Sequence, residues 1–204
     1  MKDLLESIYQ GILFTPLLEW IAVFAGVLYV ILAARQKMAC WFFAFVSSVI
    51  YVWLCFSNQL YIESVLQLFY VVMAVYGWME WNAQNHRTDE QSHVHTWKLK
   101  HHLIFILIGG MLTLILGFLV KSFTDQQNAY IDAFTTVYSL GVTFMATRRI
   151  LESWIYWIII DAISVYLYYT RGLQLTSLLF IFFTILAAIG FIQWYRDYKS
   201  GKKA

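Results

Sequence analysis

The sequence predicts an all-α integral membrane protein of seven transmembrane helices, arranged as two parallel three-helix repeats joined by one linker helix (3+1+3). Three observations predict it. First, 61% of the 204 residues are hydrophobic and 13% charged, with a mean hydropathy of +0.63, which leaves too little polar surface to coat a water-soluble particle. Second, seven apolar runs, each near the about 20 residues that span hydrocarbon, alternate with polar breaks. Third, the chain matches itself without a gap at an offset of 113 residues.

The first span is expected at 17–34, behind Pro16. Lys2, Asp3 and Glu6 make the first ten residues unlike a cleavable leader, so this run is expected to stay in the membrane. Arg35-Gln36-Lys37 breaks the chain before a second span at 39–56, in which Cys40 and Cys55 read as small hydrophobes rather than a disulfide. Ser57-Asn58-Gln59 precedes a third span at 60–80, and a longer polar stretch over 82–100 precedes a fourth at 102–121. Breaks at 124–128, at Arg148-Arg149 and at Arg171-Gly172 then delimit spans at 128–147, 151–169 and 174–194. The expected organisation is a first repeat over 17–81, a cytoplasmic loop and linker helix over 82–124, a second repeat over 128–194 and a cytoplasmic tail over 195–204.

The offset of 113 places Arg35 on Arg148, Trp41 on Trp154, Ser64 on Ser177, Ala74 on Ala187, Gly77 on Gly190 and Trp81 on Trp194, with Glu19 falling on Asp132. Spans one and five, two and six, three and seven are thereby paired. Three spans are an odd number, so a second copy joined directly would be inverted; the single fourth helix restores the orientation and makes the repeats parallel. Parallel triple-helix repeats are the plan of the SWEET sugar carriers, which hold substrate between the halves near mid-membrane.

Basic residues set an expected orientation. The loops after helices one, three and five, with the C-terminal tail, hold 11 Lys and Arg, and the opposite side holds Lys2, Lys121 and Arg171. That asymmetry predicts the N-terminus outside and the C-terminus in the cytoplasm. The net charge of +2 is spread over loops, so no nucleic-acid partner is expected.

An ionisable group in hydrocarbon is costly unless it faces a cavity or a partner, so each one is a candidate site residue. Glu63, Gln67 and Tyr70 share one face of helix three, and Asp132, Thr136, Ser139 and Thr143 share one face of helix five. On helix six, Trp157, Asp161, Ser164 and Tyr168 do the same. The repeat separates scaffold from site, because groups that bind an asymmetric ligand need not recur. Asp161 falls on Ser48, Trp157 on Ala44 and Gln67 on Phe180, which makes these three the expected ligand contacts: an aromatic face beside a carboxylate suits a flat cationic heterocycle. Against this stand structural readings: Asp132 and Glu19 as acids at helix N-termini, Glu63 as a solvated group, and Trp41, Trp81, Trp154 and Trp194 as packing or interfacial anchors.

His86, His93, His95, His101 and His102 cluster around the third-to-fourth loop without closed-zinc spacing, so a solvated loop is expected and no metal or cofactor. No nucleophile with its base and no phosphate-cradling glycine loop is present, which argues against an ATP-driven pump or an enzyme. An enzyme using Asp161 and Glu63 as an acid–base pair, and a binding subunit for a separate coupling module, remain the rival classes.

The stretch Tyr76-Gly77-Trp78-Met79-Glu80-Trp81, with Glu63-Ser64 and Gln67 upstream, resembles the signature of the Pnu family of bacterial vitamin transporters. Asp132-Ala133, Glu152-Ser153-Trp154-Ile155-Tyr156-Trp157 with Asp161, and Arg171-Gly172-Leu173 extend the resemblance through the second half. It implies a SWEET-like fold in the bacterial inner membrane, a homotrimer, facilitated diffusion of an unphosphorylated vitamin, and a cytosolic kinase that traps it. Members of the nicotinamide riboside branch usually carry Asn at the positions of Asp161 and Gln67. That departure makes thiamine the expected substrate, with nicotinamide riboside as the alternative and riboflavin behind both.

Overall fold

The computed structural model describes residues 16–57, 61–86, 94–123 and 128–201. Lys2, Asp3, Glu6, Asn58, Gln59, Arg87, His93, Lys202, Lys203 and the break over 124–127 lie outside the described residues. Among those described there are seven helices: α1 Leu17–Ala34, α2 Ala39–Ser57, α3 Tyr61–Asn85, α4 Leu99–Phe123, α5 Ala129–Thr147, α6 Ser153–Thr170 and α7 Gln174–Gly201.

Order and number agree with expectation, but three ends move. α3 continues to Asn85, α4 begins at Leu99, and α7 runs to Gly201, so most of the expected tail is helix. Apolar runs mark membrane depth rather than helix length, and good helix formers such as Glu80, Gln84, Arg196 and Lys199 carry the helices on past it. By length and composition, α1, α2, α4 and α7 are each apolar enough to cross a membrane. The other three carry the polar stripes.

Within the first half α1 packs on α2 and α2 on α3; within the second, α5 packs on α6 and α6 on α7. The halves meet where α1 touches α7 and where α3 touches α5, and α4 packs along α5 and reaches α6 through His102 and Phe105, both against Tyr156. A 113-residue shift interchanges those two seams, which is what a pseudo-twofold axis between parallel repeats requires.

Side-chain detail obeys the same axis. Ser64 Oγ donates to the Val52 carbonyl at 3.1 Å, and Ser177 Oγ to that of Val165 at 3.0 Å. Trp41 stands edge-on to Trp81 at 5.3 Å, and Trp154 to Trp194 at 5.4 Å. The absence of a side chain at Gly77 and Gly190 makes room for these rings, since a Cβ there would sit 2.5 Å from Trp41 and 2.7 Å from Trp154. Trp81 Nε1 donates to Ala146 at 3.3 Å while Trp194 Nε1 donates to Ala33 at 3.1 Å, so each half hydrogen-bonds into the other. Trp81 and Trp194 meet at 6.0 Å and are both 1% exposed, which places them in the core between the halves rather than at a lipid interface.

In the described part of the third-to-fourth loop His95, Thr96 and Lys98 are exposed, while Val94 is buried. His95 N donates to the Arg149 carbonyl at 3.0 Å and Leu151 N to that of His95 at 2.8 Å, a short parallel bridge that straps residues 94–98 across the α5–α6 turn. Val94 is buried in the core beneath it. His102, on α4, meets the Tyr156 hydroxyl at 3.0 Å and lies 3.8 Å from the Glu152 carboxylate. The buried Val94 and the ring contacts of Trp97 with His101, His102 and Phe105 hold the strap in place.

Candidate functional site

A cavity of about 410 Å³ lies between the halves, lined from α1, α2, α3, α5, α6 and α7 and by no residue of α4. The helical stripes read from sequence converge on it. From α6, Trp157, Asp161, Ser164 and Tyr168 line one wall; from α5, Thr136, Ser139 and Thr143 line the next; from α3, Gln67 and Tyr70 face them across the seam. Tyr70 and Ser139, one from each half, come within side-chain hydrogen-bonding reach.

Two expected members fall outside. Glu63 is exposed in the first turn of α3, and Asp132 in the first turn of α5 is bound by the Arg171 guanidinium. Both occupy the right face of their helices but lie a turn beyond the cavity, where an acid also complements the helix dipole. Helical spacing identifies a face; it does not say how far along that face the lumen extends.

Several lining residues escaped the sequence reading as site residues. Ser47 and Ser48 come from α2, Tyr29 from α1, and Phe180 stacks on Tyr168 at 5.1 Å. The signal for the serines was present, as an adjacent hydroxyl pair in the middle of an otherwise apolar helix. Ser47 Oγ donates to the Ala22 carbonyl at 2.9 Å, tying α2 to α1 beside the cavity.

The electrostatics are one-sided. Among the described residues Asp161 is the one carboxylate that lines the cavity, and no Lys, Arg or His lines it. It is 5% exposed, and among the described residues no hydrogen bond or ion pair reaches it. Ser164 and Thr143 donate back to the Ile160 and Ser139 carbonyls at 2.9 and 2.7 Å, which leaves their oxygens as acceptors. Trp157 adds an aromatic face one helical turn from Asp161. The arrangement suits a compact cation with a planar ring and a hydroxylated or otherwise polar remainder.

A family model described as nicotinamide mononucleotide transporter matches residues 16–196. The nicotinamide riboside transporter PnuC of Escherichia coli is 25% identical over 201 residues, covering 87% of this chain and 84% of its own. The riboflavin/roseoflavin transporter RibM of Streptomyces davaonensis is 22% identical over 174 residues, covering 83% and 80%. A crystal structure of the vitamin B3 transporter PnuC superposes with a TM-score of 0.73 at 19% identity, over 97% of this chain and 91% of that one, and has the same fold. With the family match spanning both halves of the repeat, the chain belongs to the nicotinamide mononucleotide transporter (Pnu) family of bacterial multi-pass membrane proteins and is a vitamin transporter, not an enzyme.

Proposed function

We propose that this protein carries nicotinamide riboside across the bacterial inner membrane by facilitated diffusion. The observation that carries the reading is the cavity between the halves, where among the described residues Asp161 is the one carboxylate and no side chain is cationic, with Trp157 one turn away. A nicotinamide ring is flat and permanently cationic, and its ribose has hydroxyls that the lining hydroxyls of Ser48, Thr136 and Ser139 can meet.

The thiamine expectation gives way to this alternative. It rested on Asp161 and Gln67, but a carboxylate attracts either cation equally and does not choose between them, whereas the relatives' own substrates are nicotinamide riboside and riboflavin. Binding contacts are assigned to Gln67, Tyr70, Thr136, Ser139, Trp157, Asp161 and Ser164, with Glu63 and Asp132 left outside.

In the proposed cycle the halves rock about the central site and expose it alternately. Among the described residues no buried relay of acids and histidines suggests ion coupling, so in this reading a cytosolic kinase that phosphorylates the vitamin supplies the sink. The surplus of basic residues on one side supports an outside N-terminus and a cytoplasmic C-terminus. The family resemblance supports a homotrimer, and the exposed apolar residues Leu103, Leu107, Leu114 and Phe118 of α4 leave a face for lipid or neighbouring copies.

The test is equilibrium binding of nicotinamide riboside, thiamine and riboflavin to the purified chain, with counterflow of the tightest ligand in liposomes. Tightest binding of nicotinamide riboside, with exchange that needs no ion gradient, is expected. Preference for thiamine, or uptake above equilibrium driven by a proton or sodium gradient, would overturn the substrate or the mechanism respectively.

A further inference from the structure

Among the described residues, the side-chain contacts that tie the halves together gather at the end of the bundle bearing Arg35, Arg148 and Arg149. At the α1–α7 seam, Trp194 reaches Ala33 and Gln36 donates to Asp197 at 2.6 Å. At the α3–α5 seam, Trp81 reaches Ala146 and Arg148 pairs with Glu80 at 3.1 Å. This end is shut, and the cavity stops at the buried Trp81 and Trp194.

One residue breaks the symmetry of this closure. Gln36 and Arg149 occupy the same turn in the two halves, both with φ of 52°. Gln36 turns outward to its exposed partner, but Arg149 turns inward and is 1% exposed. Its Nη2 donates to Asn85 Oδ1 at 2.9 Å, and its guanidinium lies 4.4 Å over the Trp81 ring, so it grips α3 of the first half twice. The strap from the linker holds its carbonyl. Its Nε and Nη1 have no partner among the described residues.

A charged hydrogen bond and a desolvated cation–π contact favour the closed end. The unmet N–H donors on Nε and Nη1 oppose it, because water would satisfy them once the end opened. Burial pushes the guanidinium down to about 10, still charged at neutral pH, so the cation itself is held out of water in the closed state. A group gripped strongly by the opposite half yet incompletely satisfied is suited to a catch that releases.

We propose that Arg149, acting with Asn85 and the Trp81 ring, is the latch of this gate: it holds the cavity shut at the basic end, and its release lets α3 part from α5 there. It positions the gate and does not contact the vitamin. This inference rests on the transporter reading above, but its test needs no vitamin, so either can fail without the other.

Cys40 provides a native reporter, since it is 0% exposed and packed in the same end, while the chain's other cysteine, Cys55, sits at the far end of α2. The measurement is the rate of N-ethylmaleimide labelling of Cys40 in the purified full chain carrying Cys55→Ser. Arg149→Gln copies the residue that the first half accepts in the same turn, so the backbone tolerates it. It is expected to raise the Cys40 labelling rate about ten-fold. Asn85→Ala is expected to act in the same direction, and the double variant to label no faster than the faster single, because both remove one interaction. Labelling of Cys55, followed separately with Cys40→Ser, is expected to be unchanged. Labelling of Cys40 at the unsubstituted rate, full additivity of the two variants, or an equal rise at both cysteines would overturn the proposal, the last by showing general loosening.

Discussion

Asp161→Asn removes a charge from the cavity while keeping the side chain's shape, which makes it the sharpest test of the site. Two unit charges about 4 Å apart attract by about 4 kcal/mol at an effective dielectric constant of about 20. A cavity of about 410 Å³ has room for water beside a ligand, so about half of that is expected to survive, about 2 kcal/mol. Nicotinamide riboside is then expected to bind the variant about 30-fold more weakly. Calorimetry at fixed salt would measure it, beside the reduced, uncharged dihydronicotinamide riboside, which offers the same ribose and a similar ring without the charge. The neutral ligand is expected to lose less than about three-fold, since only the charge–charge contribution is gone. Equal losses for both ligands would refute the electrostatic role and leave Asp161 a packing or hydrogen-bonding residue. Unchanged binding of both would remove it from the site.

Trp157→Ala is expected to weaken binding about ten-fold while Trp157→Phe keeps most of it, because a ring face over a cation contributes about 1–2 kcal/mol; equal loss in both variants would argue for the indole N–H instead. Gly77→Ala and Gly190→Ala each force a Cβ into a tryptophan, and overpacking of about 1–3 kcal/mol is expected to lower both melting temperatures despite alanine's better helix propensity. A fall in one variant alone would show that the two halves do not share their packing. Asp132→Asn breaks a partly exposed pair with Arg171, contributing about 0–1 kcal/mol to stability, and is expected to leave vitamin affinity within about two-fold; a ten-fold loss of binding would return Asp132 to the site.

The sequence by itself determined the lipid-facing class of the chain, its seven helices and the pairing of the two halves. Those properties follow from local hydropathy and from identities at one ungapped offset, and neither depends on how the helices touch. It also determined the polar faces of α3, α5 and α6, because 3.6-residue periodicity is local. Where along those faces the cavity lies was decided only by the packing of six helices, which encloses Gln67 and Asp161 and leaves Glu63 and Asp132 a turn outside. Repetition likewise marked Trp81 and Trp194 as matched, while their hydrogen bonds into the opposite half required both halves in place. The inward turn of Arg149 was least legible of all. In sequence it is one more basic residue in a loop, and its burial comes from α3 extending past the expected boundary to Asn85 and from the strap that grips its carbonyl, two long-range contacts that no local pattern encodes.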